Sequence, residues 1–443
     1  MRIKLTALLL AGVAAVPAIA QEQTEFPAVL AGHAILPADT LTPAPADAPA
    51  YLQATGRFQG GPVRNLGEPT PGPEMPLDGQ VIQGLSGIKS LGDGTFLVLT
   101  DNGFGNKANS PDAMLMFHHV RPDFATGAVE VIETTFLSDP NRVVPFFIAN
   151  EATETRYLTG WDLDIEGFQP IGDDRVVFGD EFGPYLIAVN RETGIVEAFA
   201  ETFVGETLVK SPDHYTLQLP NPNGTLPAYN LNRSKGFEGF AASIDGTLLY
   251  GLLEGPLWNA ETAAYETVEG VEASRIIEFD AVTLETTGRT FLYPFEANGN
   301  AIGDFNFIDE NRALVIERDN GQGDAALACA TGQTAGCFPA PALFKRVYLI
   351  SFEGVEDGGV VRKIGYIDLL NIQDPNAVAR VGAEADGTFQ FPFVTIEDVD
   401  MVDATHIIVA NDNNYPGSVG RTVETYDANE FILLDVADFL AAH

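Results

Sequence analysis

Five stretches of this sequence carry acidic side chains at matched positions. They are GLSGIKSLGDGTFLVLTDNG (84–103), DIEGFQPIGDDRVVFGDEFG (164–183), GFEGFAASIDGTLLYGLLEG (236–255), GDFNFIDENRALVIERDNG (303–321) and TIEDVDMVDATHIIVANDNN (395–414). The same interval separates Ser86 from Asp101, Glu166 from Glu181, Asp304 from Asp319 and Glu397 from Asp412; the third copy slips by one and ends on Glu254 rather than Leu253. Acids that share a site repel and are driven toward their neutral form, unless a cation holds them. A hard cation such as Ca²⁺ takes about six to eight oxygen ligands from carboxylates, amides and carbonyls. The candidate ligands are Asp101, Glu166, Asp180, Glu181, Glu238, Glu254, Glu317, Asp319, Glu397, Asp398 and Asp412, with the amides Asn102, Asn320, Asn411, Asn413 and Asn414 beside them. Glu238, Glu166 and Glu397, at one repeat position, are also the candidates for general-base work, and the sequence does not choose among them. Softer metals fit less well, because none of the 6 histidines shows paired ligand spacing. Ordinary turn chemistry accounts for part of the pattern, since Asp-Asn-Gly after a strand is a common turn. It accounts less well for the glutamates, which turns do not favour. Three basic residues sit in or beside the same motifs: Lys235, Arg318 and Arg421. They either form an anion site for phosphate or carboxylate beside bound cations, or neutralise their acidic neighbours.

The elements that must position these side chains are strands. Short runs rich in Val, Ile, Phe, Leu and Thr alternate with Asp-Gly, Asn-Gly, Thr-Gly and Pro punctuation, and long amphipathic helical patterns are almost absent. Further strands follow each copy, as in YLIAVN (185–190), RIIEFD (275–280) and RVYLISFE (346–353). Four antiparallel strands per unit, repeated around a ring, predict an all-β chain folded as a β-propeller. Five blades are expected, with a sixth, assembled from the N-terminal strands and the stretch 128–160, as the alternative. The last unit lacks a strand, and GHAILPA (32–38) and YLQATGRF (51–58) are the candidates that would pair into it and close the ring. Equivalent positions of successive blades surround the axis, so the acids would crowd one funnel. The Pro-rich stretches 37–50 and 59–79 read as surface connections within one domain, 21–443.

Composition narrows the partners. There are 62 acidic residues against 24 basic, a net charge of −38, while a hydrophobic content of 45% supports a real core. Such a surface repels nucleic acid and anionic lipid headgroups. Arg2 and Lys4, the apolar run 5–16 and Ala18-Ile19-Ala20 read as a signal peptide over 1–20, which places the mature chain from Gln21 in the periplasm or outside the cell. No membrane insertion is expected, and a monomer is. Cys329 and Cys337, a close pair in an exported chain, are expected to form a disulfide.

No Gly-x-Ser-x-Gly elbow, His-Glu-x-x-His, Walker loop or dinucleotide fingerprint is present. The segments Asp164-Ile165-Glu166-Gly167-Phe168, Lys235-Gly236-Phe237-Glu238-Gly239-Phe240, Leu253-Glu254-Gly255-Pro256, Ile316-Glu317-Arg318-Asp319-Asn320-Gly321 and Asn411-Asp412-Asn413-Asn414 resemble the signature of the phytase-like family, described as having esterase-like activity of phytase. The resemblance implies a propeller, export and a hydrolase, with calcium-dependent phosphoester hydrolysis as the nearest understood chemistry and Lys235 and Arg318 as phosphate contacts. A hexaphosphate favours a strongly positive pocket, which so few basic residues hardly build unless calcium supplies the charge, so a smaller phosphomonoester, phosphodiester or carboxylic ester is expected at least as much as phytate. Two other functions compete: a non-catalytic, calcium-stabilised binding propeller, and a sugar- or lactone-hydrolysing propeller.

Overall fold

The computed structural model describes residues 23–59, 73–217 and 228–443. The expected signal peptide and most of the Pro- and Gly-rich stretch 59–79 lie outside the described residues. Within them the regular structure is nearly all strand, and the one α-helix, Ala437–Leu440, is four residues long. No helix among the described residues is long and apolar enough to cross a membrane.

The strands form five antiparallel runs of four. The first comprises Leu85–Ser90, Phe96–Thr100, Met116–Asp123 and Ala128–Phe136; the second, Ile165–Ile171, Arg175–Asp180, Tyr185–Asn190 and Val196–Glu201. The third comprises Phe237–Ala242, Leu248–Leu253, Val271–Asp280 and Thr286–Pro294; the fourth, Ala301–Phe307, Arg312–Arg318, Lys345–Ser351 and Arg362–Asp368. The fifth joins Asp398–Met401, His406–Ala410 and Asn429–Asp435 to the N-terminal strand Val29–Leu36. The fold is a β-propeller, and the segment around His33 does pair into the unit formed by the C-terminus.

Apolar clusters lie between successive runs and complete a circle. One joins Leu97 and Phe117 to Phe178 and Ile187; the next joins Val177 and Leu186 to Phe240 and Phe279; a third joins Leu252 and Phe291 to Phe305 and Tyr348. The last two join Leu314 and Leu349 to Val409 and Ile432, and Ile408 and Phe431 back to Ile88 and Val98. Each fully buried Leu or Phe in these seams contributes about 1.5–3 kcal/mol.

Two segments that the sequence offered as candidates, a closing strand and part of a further blade, do not build them. Tyr51–Phe58 is not a strand: Ala50–Gln53 is a 3₁₀ turn, opened by Pro49, and only Thr55 makes an isolated bridge, to Leu77. The stretch 128–160 builds no further sheet, because Ala128–Phe136 is the outer strand of the first run and the rest is loop. Cys329 and Cys337 form the expected disulfide.

The inner strands explain why the acids gather. Pairing with the neighbouring strand jumps from Ile165↔Asp180 to Gly167↔Gly179, and from Phe237↔Leu253 to Gly239↔Leu252, so Glu166 and Glu238 are the extra residues of β-bulges. The inner strands of the first and fourth runs are bulged across Ser86-Gly87 and Gly303-Asp304. A bulge re-aims the side chain it carries. The glycines that follow permit close approach: a Cβ on Gly167 would lie 2.7 Å from Cβ of Phe240, and one on Gly239 would lie 2.6 Å from Cβ of Phe305. The inner strands of the second and third runs thus each receive an aromatic residue from the next, and the bulged glutamates are left at the axis.

Candidate functional site

Glu166, Glu181, Glu238, Glu254 and Glu397 are each buried at the axis, with Asp101, Asp164 and Asp412 among them. Two sets of three carboxylates bring one oxygen each within 4.8 Å of one another: Asp164, Glu166 and Glu181, and Glu181, Glu238 and Glu254. Glu181 belongs to both. Ser86 Oγ donates to Glu397 Oε2 at 3.0 Å, and Asn102 Nδ2 donates to Asp164 Oδ1 at 2.7 Å. Asp412 accepts from Thr395 Oγ1 at 3.1 Å and from the Asn414 amide at 2.6 Å.

Two cations touch this cluster. Arg318, itself buried, places Nη2 at 2.9 Å from Glu397, 3.3 Å from Glu254 and 3.8 Å from Glu238. Lys235 pairs with Glu254 at the rim, its side chain partly exposed. They do not balance the acids. Burial first, and neighbouring carboxylates second, push Asp101, Glu166, Glu181 and Glu238 far above the usual carboxylate range. Asp412 is raised in the same way, with Glu397 its main acidic neighbour.

The donor set fits a hard divalent cation. Every group in the two triads is an oxygen donor, and Glu181 Oε1 and Glu238 Oε1 are buried with no hydrogen-bond partner among the described residues. A buried anionic oxygen without a partner is costly, and a cation removes that cost. Two of the histidines are spent elsewhere, His33 on Glu430 and His118 on Thr100 and Thr134.

Several expected site residues serve the scaffold instead. Asp180 accepts from the amides of Asp164 (2.8 Å) and Gly183 (2.7 Å), so it braces the loop that carries Glu181 rather than facing the funnel. Glu317 points to the opposite face of its strand from Arg318, as alternation requires. There Tyr293, Asn300, Lys363 and the Glu296 amide satisfy it. Asp319 accepts from the amides of Leu343 and Phe344, and Lys345 Nζ lies 3.1 Å from it. Asp398 accepts from the Gly87 amide at 3.2 Å and leaves its other oxygen buried and unpartnered, beside Asp304. Arg421 is not in the funnel: it grips Glu430 with two nitrogens, at 2.9 and 2.7 Å, between the rings of Phe389 and Phe393. Its reading as a neutralising partner is the one the geometry supports.

Sequence reasoning missed Asp164 and Lys345. Asp164 stands two residues before Glu166 in the repeat and could have been found there. Lys345 carried no signal, because it reaches its neighbourhood from a strand outside the repeat; its buried ammonium, lowered to about 7 chiefly by burial, is held by the carbonyls of Asp319 and Val394.

These shifts give a pH prediction for chelated protein. A carboxyl group whose folded pKa is raised contributes stability in acid and loses it as pH climbs from the unfolded value, about 4, through the folded one. Asp180, Asp304 and Asp427, each raised to about 7 chiefly by burial, set the same window. The chelated protein is therefore expected to melt several degrees lower at pH 8 than at pH 5, followed by circular dichroism. A bound divalent cation should flatten only part of that slope, because Asp180, Asp304 and Asp427 all lie outside the two triads. A melting temperature that rises from pH 5 to pH 8 in chelator contradicts the assignment.

Residues 80–415 match a family described as "Phytase-like: Esterase-like activity of phytase". No curated protein matches the chain. Among solved structures, Kuenenia stuttgartiensis hydrazine synthase is similar at 10% identity and a TM-score of 0.32, over 77% of this chain and 81% of that one. The Dos1 propeller matches at 10% identity and 0.27, over 79% and 68%, and a luciferin-regenerating enzyme at 11% and 0.31, over 80% and 92%.

Proposed function

The chain belongs to the phytase-like family, and from that premise and the buried carboxylate cluster we propose an exported, calcium-dependent hydrolase of phosphate esters or other small esters. We take the mature chain, from Gln21, as one domain and a monomer. One observation carries the reading: Glu181 is shared by two buried carboxylate triads and keeps an oxygen that nothing in the described chain satisfies. A bound divalent cation would neutralise the triads and polarise an ester oxygen placed against it.

The chain's own residues supply the rest. Asp164, Glu166, Glu181, Glu238 and Glu254 would hold the cation, with Asn102 orienting Asp164. Arg318 fixes Glu397 and Glu254 and presents positive charge at the funnel wall. Lys235, partly exposed at the rim, is the residue placed to receive an anionic ester as it enters. Glu238 belongs to the second triad and is also the favoured base for the attacking water, so its loss would remove a cation ligand and the base together.

The test uses p-nitrophenyl phosphate, bis-p-nitrophenyl phosphate and p-nitrophenyl acetate, each with calcium and with chelator. Calcium-dependent turnover is expected, reduced about 100-fold or more in Glu238→Gln, the usual range for losing a general base. The preferred ester names the class. Absence of turnover on every ester, with melting still raised by calcium, would sink the hydrolase and leave a calcium-stabilised binding propeller.

A further inference from the structure

Beside the carboxylate cluster lies a second feature that the reading above does not use. A cavity of about 410 Å³ is lined by Phe146, Phe147, Trp161, Tyr185, Tyr215 and Lys107, with Asp162 and Asp213 at its wall. Phe147 is 85% exposed and Trp161 43%, two rings side by side in the cleft lining rather than scattered singly over the surface. Behind them Phe146 is held 5.9 Å from the Tyr185 ring and 5.5 Å from the Tyr215 ring, a rigid aromatic floor.

The charges of this cleft are unequally spent. Asp162 accepts from the Ala149 and Thr159 amides, at 2.7 and 2.9 Å, and from the Thr159 hydroxyl at 3.1 Å; Asp213 is paired with Arg233. Lys107 Nζ makes no hydrogen bond or ion pair among the described residues and stands 4.2 Å over the Phe182 ring. Phe182 follows Glu181, and Trp161 and Asp162 lead into Asp164, so the cleft abuts the first triad through two chain segments. Asp180, Asp213, Asp162 and Asp164 act on the charge of Lys107 from a distance, but none of them is bonded to it, so its donors stay open to an anion, and the rings beside it suit one with a flat apolar face.

The geometry points to a subsite for the aromatic ring of an anionic aryl ester, stacked on Phe147 and Trp161, with its anionic group reaching Lys107 at the seam with the carboxylate cluster. This deepens the proposed hydrolase by naming an aryl phosphate or aryl carboxylate as the substrate class, and it rests on that reading only for turnover, not for binding.

The chain has two tryptophans, so in a Trp258→Phe background Trp161 alone reports on the cleft. Phenyl phosphate, with calcium and with chelator, is expected to change its fluorescence saturably. Glycerol 2-phosphate, which has the same charge and no ring, should bind at least tenfold more weakly. Lys107→Met should weaken phenyl phosphate about tenfold, one charge-assisted contact, while leaving phenol binding unchanged. Phe147→Ala should weaken phenyl phosphate and phenol alike, and its exposure keeps the fold out of the comparison. Equal affinity for the two phosphates, or no effect of Lys107→Met, overturns the subsite. Ring-dependent binding without hydrolysis of any ester removes the hydrolase and keeps the cleft. Hydrolysis indifferent to the ring does the reverse.

Discussion

Replacing Arg318 with Met is expected to cost calcium-free protein about 3–5 kcal/mol at neutral pH, the range for removing one partner of a buried ion pair. Among the described residues the guanidinium is the one group that touches Glu397, Glu254 and Glu238 together. Burial opposes its charge, but those three carboxylates outweigh burial and raise its pKa. Without it Glu397 keeps, among the described residues, only the Ser86 hydroxyl, while Glu254 keeps Lys235. A loss of that size approaches the whole stability of a typical domain, about 5–15 kcal/mol. The penalty comes from uncompensated negative charge, so it should shrink at pH 5 and shrink when calcium is added. Arg318→Lys should recover part of it, since the charge survives but the fork that spans the carboxylates does not. Urea melts at pH 5 and pH 8, with and without calcium, separate this from a packing defect. A loss equal in all four conditions would mean that Arg318 matters for shape and not for charge.

The repeat made the ring of acids legible, and the reason is geometric. Positions that recur in sequence recur around an axis, so Glu166, Glu238 and Glu397 could be grouped before any coordinate was known. What the repeat could not show was which face each acid takes. Glu317 and Arg318 are neighbours in one motif, yet strand alternation sends one into a Tyr293–Lys363 pair and the other into the funnel. Asp180 and Asp319 occupy motif positions but turn to backbone amides, which is the turn chemistry their residue type favours. Arg421 lies in a loop outside the repeat, and nothing local indicated that Glu430 would claim it. The aromatic cleft was invisible for another reason: Phe147 and Trp161 sit in irregular loops whose path no periodicity describes. The bulges that aim Glu166 and Glu238 left one local trace, the glycine that follows each.

Glu181→Gln is expected to act with opposite sign on the two forms of the protein. In chelator at pH 8 the carboxylate is buried beside Glu254 and Asp164, and burial and both neighbours raise its pKa, with only Lys235 opposing. An amide of the same shape removes that repulsion and donates to a neighbouring carboxylate, so the chelated variant should be more stable than the parent by about 1–2 kcal/mol, one pKa unit being worth about 1.4. With calcium the order reverses. Glu181 belongs to both triads, so the substitution removes a charged ligand from each. Calcium affinity should fall at least 100-fold, about 2.7 kcal/mol, and calcium-dependent turnover should fall with it. The melting curves of parent and variant should therefore cross as calcium is raised. Glu317→Gln is the contrasting case: its four partners are protein groups, so it should lose stability equally in calcium and in chelator. If Glu181→Gln instead destabilises the chelated protein, the carboxylates are not held against their own repulsion. If it leaves calcium affinity unchanged, the cation lies elsewhere, and both the metal centre and the hydrolase built on it fall together.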